Sequence, residues 1–515
     1  MVPRHEPHYP DTRSQFQIQY CLSKQMSSKL AIVLHPAHGS TFTSLDVIHG
    51  QIQLTIGSEE TLADIHVKME GVSRTLLVVP KHPEKTRKDG SPKRSKKTVI
   101  ETHKILHQST IVFPPDNVRN TDTKEGFTLP PGQYYYPFEF RIPINNKCLQ
   151  STSFMSKLSF ADGAAYSRDP TQHLVATLPP SLSDVGGQAV IKYFFKVTVK
   201  RAAFYKPNKR EYLPFVFLPF EPPRPDTHGE QFFVRRKHQF PYLPSHERID
   251  GHAPTGPAIP PKKKGFLSAL SAASRQAPFV RQSGPEFYLE ARVPDPPIMT
   301  PAEPLPLHLF VSSASPLTVP LFLHALRVNL VARTLIAAQE HNRETAYGLT
   351  IHNSENLKLQ MGQIVNPKPG TFEAEFDLRK CGQIVLPNTI PPSFKTCNVA
   401  RKYSLEIFAK VSHSRHGEAD IIALAFDIDV YSGVKPPRSL LDAAETAAKI
   451  AAEPNPYAVG PALESHAVPK HNDSLPTYDE AIGANLNPVQ GPRREFQQNP
   501  AYYADLAEMD KDEKN

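Results

Sequence analysis

The chain lacks almost everything that would mark a secreted protein, a membrane span or an enzyme. Its 515 residues hold only four cysteines, Cys21, Cys148, Cys381 and Cys397. They lie far apart and form no C-x-x-C pair, so neither a disulfide framework nor zinc-type spacing is expected, and a reduced cytoplasmic chain is the simplest reading. The opening stretch MVPRHEPHYPDTRSQ has no apolar core, which argues against a signal peptide. No run approaches 18 uninterrupted apolar residues, so nothing is expected to span a bilayer. G-x-x-x-x-G-K-[ST], H-E-x-x-H and G-x-S-x-G are all missing, and no catalytic residue, metal or cofactor is expected. His413 and His416 stand three apart with no third ligand nearby in sequence, and a surface loop explains them better than a metal site.

What is present is β-pattern, proline and uneven charge. The apolar share is 39% and proline reaches 53 residues, about twice its usual frequency. This implies folded domains diluted by segments that cannot pack. The net charge of +8 is modest for this length, and no nucleic-acid partner is expected.

Residues 1–27 are polar and read as a flexible N-terminus. From Lys29 the chain turns to short alternating runs broken by turn residues, the mark of β-sandwiches. Leu30–Leu34 is apolar throughout and suits a buried strand. His49–Ile56 places Ile52, Leu54 and Ile56 on one face, with Gly50 permitting a bulge or a close backbone approach. In Val190–Arg201, Ile191, Tyr193, Phe195, Val197 and Val199 point one way, and Lys192, Lys196 and Lys200 the other. The first β-rich region is assigned to 28–215. Residues 216–284 are proline-rich or basic and read as a flexible loop or linker. Alternation resumes over 285–433. The remainder, 434–515, reads as a mostly disordered tail with one short helix, Ser439 capping Leu440–Glu453.

Three basic groups invite a binding reading. Lys81 to Lys97 is dense in Lys and Arg and is a long charged loop between strands, with Lys93, Arg94, Lys96 and Lys97 as candidates for anionic lipid. Lys262, Lys263 and Lys264 precede Phe266 and Leu267 and are a second lipid candidate, weighed against a plain linker. Lys192, Lys196 and Lys200 are candidates for phosphate or an acidic tail, weighed against lysines that merely keep a sheet face soluble.

Several segments in order resemble the arrestin fold. Phe127-Thr128-Leu129-Pro130-Pro131-Gly132-Gln133-Tyr134-Tyr135-Tyr136-Pro137-Phe138-Glu139-Phe140-Arg141-Ile142-Pro143 resembles a strand of arrestin-type N-domains. Pro179-Pro180-Ser181-Leu182 with the lysine-bearing strand fits the part that follows. Ile390-Pro391-Pro392-Ser393-Phe394 through Leu405 is similar to the matching stretch of arrestin-type C-domains. The resemblance covers about 28–433 and implies an all-β protein of two tandem immunoglobulin-like sandwiches.

In the tail, Leu475-Pro476-Thr477-Tyr478 fits the L/P-P-x-Y peptide gripped by WW domains. Proline pre-sets the extended left-handed backbone, so little entropy is lost on docking to an aromatic groove. With this PY motif the chain is similar to fungal-type α-arrestins. The resemblance implies an adaptor, not an enzyme, with two partners: an integral membrane cargo (transporter or receptor) and a WW-domain HECT-type ubiquitin ligase. It implies cytoplasmic protein, peripheral at plasma membrane and endosomes, acting in cargo ubiquitylation, endocytosis and sorting. An arrestin-fold endosomal sorting or signalling scaffold without a ligase is the alternative. Only one motif of this kind is present, so no avidity multiplies its affinity. Asn499-Pro500-Ala501-Tyr502 matches N-P-x-Y, which reads as a local turn in preference to a ligand for PTB-type domains.

Overall fold

A computed structural model describes residues 28–35, 41–80, 96–119, 126–145, 148–150, 177–183, 185–203, 205–225, 228–240, 286–314, 317, 320–360, 372–442, 494–504 and 506. The described residues are nearly all β. The first domain comprises β1 (Lys29–Leu34), β2 (Thr41–Phe42), β3 (Val47–Ile56), β4 (Glu60–Pro80), β5 (Lys96–Phe113), β6 (Phe127–Leu129), β7 (Gly132–Arg141), β8 (Leu149–Gln150), β9 (Ala189–Arg201) and β10 (Lys209–Phe217). One sheet has the order β1-β3-β7. The other runs β2-β10-β9-β4-β5-β8, with β6 paired to β4. Side chains from the two inner faces interdigitate into one core, as sandwiches require. Ile48, Ile52, Leu54 and Ile56 of β3 and Phe138 and Phe140 of the neighbouring β7 share that core with Ile191, Tyr193, Phe195, Val197 and Val199 of β9 in the other sheet.

Two glycines let these layers close. A methyl group at Gly50 would sit 2.4 Å from the Phe138 ring and 2.9 Å from the Val33 carbonyl. At Gly71 it would fall 2.6 Å from the Tyr193 ring. The bare backbone is therefore what the aromatic residues pack on.

The second domain comprises β11 (Gln231–Gln239), β12 (Glu286–Pro294), β13 (Ile298–Met299), β14 (His308–Ser313), β15 (Phe322–Ala338), β16 (His341–Ser354), β17 (Leu359–Gln360), β18 (Phe372–Phe376), β19 (Phe394–Lys395), β20 (Val399–Ser412) and β21 (Asp420–Val430). Its sheets have the orders β11-β12-β14-β18 and β13-β21-β20-β15-β16, with β17 on β15 and β19 on β20.

The two domains repeat one device. Tyr193 on β9 donates its hydroxyl to Pro179 O at 2.6 Å, and Tyr403 on β20 donates to Pro391 O at 2.7 Å. Burial pushes the Tyr403 phenol up to about 12. The serine two residues beyond each of these prolines clasps the end of a strand. Ser181 exchanges bonds with Phe217 through its amide and hydroxyl, and Ser393 does so with Val430. The Pro-Pro-Ser segments are thus the corners where a loop is tied to the sheet.

Three boundaries differ from expectation. Residue 216 is not where order lapses, because β10 runs to Phe217. β11 lies inside the stretch read as linker. It is an edge strand in which Arg235, Arg236 and Lys237 are all exposed, a composition that keeps edges from pairing with other chains and that hides the alternation. Segment 494–506 of the expected tail is packed against the folded body. A helical turn at 438–442 begins one residue before Ser439, and 443–453 lies outside the described residues.

The sandwiches share a buried junction. Ile336, Ala338 and Val399 of the second domain are buried in the core of the first. Asn398, 2% exposed, accepts from the Ser73 hydroxyl at 2.7 Å and donates to Ser73 O at 3.2 Å. Thr75 donates to Ala337 O at 2.6 Å. At another point of contact, Glu221 N–H donates to Val434 O at 2.8 Å, and Arg224 links the Glu221 carboxylate to the Thr300 hydroxyl.

Candidate functional site: the docked segment and the interdomain cleft

Segment 494–506 crosses both domains and is held by its aromatic residues. Asn499 caps a 3-10 turn, Pro500–Tyr503, its side chain accepting from Ala501 N at 3.1 Å with Pro500 at the first turn position. That turn drives Tyr502 inward until it is 0% exposed. The phenol then fills its hydrogen-bonding capacity. It donates to Phe215 O at 2.8 Å and accepts from Tyr193 N–H at 3.1 Å. It also accepts from the Ser181 hydroxyl at 2.8 Å, because its own single proton is already given to Phe215 O. Tyr193 and Phe215 face each other at the end of the β9–β10 ladder, so the phenol bridges the last rung. Burial raises the pKa of Tyr502 well above the usual phenol range.

The rest of the segment is fastened on either side. Phe496, 2% exposed, has its amide donating to the Thr41 hydroxyl at 3.1 Å. Arg494 lies over the Phe496 ring and donates to Ile390 O of the second domain at 3.1 Å. Burial pulls its guanidinium down to about 10. Ser183 donates to Gln498 Oε1 at 2.6 Å and accepts from Asn499 N–H at 3.1 Å. Leu506 closes a small apolar cluster with Val72, Phe194 and the partly buried Tyr212.

Beside this segment lies a cleft of about 850 Å³, open between the domains. The loop around Ser183 and Gln188 forms one wall, and Leu330 and Tyr347 of β15 and β16 another. Gln497 to Pro500 form the third. Tyr347 is 65% exposed, so the cleft offers apolar surface beside threonine and glutamine side chains. Its size is that of a pocket for a few side chains of an extended peptide.

The three lysines of β9 do share one face, but that face is covered. Lys192 is buried and donates to Ala504 O of the docked segment at 2.6 Å. Lys196 is buried against the Tyr212 ring. Lys200 is half-exposed and pairs with Asp64 at 3.1 Å. The expected cationic patch is therefore corrected: in this conformation Lys192 and Lys196 serve internal contacts. Nothing in the local pattern signalled it, because the covering segment is about 300 residues away in sequence. Lys96 and Lys97 are exposed at the start of β5. Lys93, Arg94, Lys262, Lys263 and Lys264, together with Leu475, Pro476, Thr477 and Tyr478, lie outside the described residues. Asn499-Pro500-Ala501-Tyr502 is a local turn, as its sequence reads, and its tyrosine is inaccessible here.

Residues 32–218 match the family described as arrestin (or S-antigen), N-terminal domain. The chain also aligns with proteins named arrestin-related trafficking adapter 10. Identity is 27% over 174 residues in Eremothecium gossypii, 31% over 135 residues in Candida glabrata and 29% over 132 residues in a Saccharomyces cerevisiae strain. These stretches cover 33%, 24% and 24% of this chain and 38%, 25% and 25% of the relatives. Through its N-terminal sandwich the chain is similar to arrestin-related trafficking adapters. The match spans well under half the length of the relatives. The family match, 32–218, falls on the sandwich that carries the Pro179–Ser181 corner and receives the docked segment. Among the described residues, no helix is long and apolar enough to cross a membrane.

Proposed function

We propose that this chain is a trafficking adaptor that links an integral membrane cargo to a WW-domain HECT-type ubiquitin ligase, leading to ubiquitylation, endocytosis and sorting of the cargo. The adaptor role is supported by the family and by relatives named as trafficking adapters. It acts without a covalent step of its own. The paired sandwiches and their cleft supply the cargo-holding surface, and the ligase is recruited through Leu475-Pro476-Thr477-Tyr478. The observation that carries this reading is the placement of that motif. It lies in the connection between 442 and 494, whose two flanks are both fastened to the body. A ligase bound there stays close to whatever the body holds, which raises its effective concentration at the cargo.

The test is a titration of the purified full chain with a WW domain from such a ligase. Binding in the micromolar range (about −8 kcal/mol) is expected for the intact chain, with a loss of tenfold or more in Tyr478→Ala. Equal affinity for both proteins would remove the motif from the mechanism and leave an arrestin-fold scaffold without a ligase.

A further inference from the structure

Three residues that share no sequence neighbourhood meet where the two sandwiches join. His103 comes from β5. Cys148 immediately precedes β8, which pairs with β5 at His103 and Lys104. Cys397 lies in the turn between β19 and β20 of the second domain, beside the Asn398 that bonds Ser73. His103 Nδ1 is 3.3 Å from Cys148 Sγ, and the two sulfurs are 3.9 Å apart. All three ligand atoms fall within 4.8 Å of one another. The other imidazole nitrogen, Nε2, is 2.6 Å from Glu101 Oε1. The second Glu101 oxygen accepts the backbone N–H of Gln339 at the tip of the β15–β16 hairpin.

We propose that His103, Cys148 and Cys397 form a zinc(II) site that clamps the two sandwiches together. Tetrahedral zinc with Zn–S of about 2.3 Å and Zn–N of about 2.0 Å sets sulfurs ~3.8 Å apart and nitrogen ~3.5 Å from sulfur. The observed 3.9 and 3.3 Å match both spacings. Imidazole and thiolate are the donors zinc prefers, and three of them leave a fourth position for water. Glu101 completes the arrangement. A carboxylate on the far nitrogen fixes the tautomer that presents Nδ1 to the metal and raises its basicity. Because this carboxylate also holds the Gln339 amide, the metal site and the hairpin contact are one unit. Binding converts two thiols to thiolates and releases their protons, so affinity rises with pH. Zinc ligated from both domains stabilises the joined arrangement relative to separated sandwiches, by mass action.

The experiment uses the full-length reduced chain, stripped with chelator and titrated with cobalt(II) as a spectroscopic stand-in and then with zinc. The expected result is one cobalt per chain with sulfur-to-cobalt charge-transfer bands and intense tetrahedral d–d bands, displaced by zinc. Cys397→Ser and His103→Ala lose those bands, and Glu101→Gln weakens zinc binding about 10- to 100-fold. Should a variant misfold by circular dichroism, protection mapping of the unmodified chain decides: zinc must shield Cys148 and Cys397 from a thiol reagent. The proposal is overturned if stoichiometric cobalt gives no thiolate bands, if the bands survive Cys397→Ser, or if zinc shields neither cysteine. It is equally overturned if protein from the reducing cytoplasm carries a Cys148–Cys397 disulfide.

Discussion

At the residue scale, one hydroxyl carries much of the attachment of segment 494–506. The Tyr502 phenol satisfies a backbone donor, a backbone acceptor and the Ser181 hydroxyl within a site closed to water. Tyr502→Phe keeps the ring but leaves those groups unpaired, and an unsatisfied buried polar group costs about 1–3 kcal/mol. Hydrogen exchange at the Tyr193 amide should accelerate by a corresponding factor, because the opening it reports becomes cheaper. An unchanged exchange rate would show that the phenol is not what holds the segment. The turn that delivers Tyr502 is legible in the letters Asn-Pro-x-Tyr, since an asparagine cap and a proline at the first turn position act locally. Its destination is not, because the pocket is made by residues about 300 positions earlier.

At the scale of elements, alternation gave the strands wherever one face is buried. β3, β7, β15, β20 and β21 follow it closely. It failed at β11, whose edge position favours charge over pattern. It misread the outer face of β9, where Phe194 between Lys192 and Lys196 is buried against Leu506. Where β4, β9 and β10 meet, Glu60 bonds Arg201 and Lys209 together. Burial alone would raise the Glu60 pKa, but the Lys209 and Arg201 contacts outweigh it and the net shift is downward. A carboxylate depressed in the folded state contributes stability that is present above its unfolded value near 4.5 and is lost as pH falls through the folded value. Urea midpoints should therefore drop between pH 5 and 3, and the drop should be shallower in Glu60→Gln. The same acid dependence in both proteins would show that this cluster does not couple protonation to folding.

For the whole molecule, the relation between domains was beyond reach of the sequence. Ser73 and Asn398 meet across 325 positions, as do Cys148 and Cys397 across 249. Cysteine spacing alone argued against zinc for that reason. The Pro-Pro-Ser segments were visible as part of the arrestin resemblance, because each is a short motif, but their role as corners was not. Leu475–Tyr478 is legible for the same reason, as a short linear motif of the kind WW domains bind. The proposed division of labour is between a paired body that holds cargo and a linear motif that brings the ligase. Proximity labelling in cells, with the labelling enzyme fused to the intact chain or to Tyr478→Ala, tests that division most directly. The account predicts that the intact chain labels both a WW-bearing HECT ligase and a membrane transporter or receptor, and that Tyr478→Ala loses the ligase but keeps the cargo. Undiminished ligase labelling in Tyr478→Ala would contradict it.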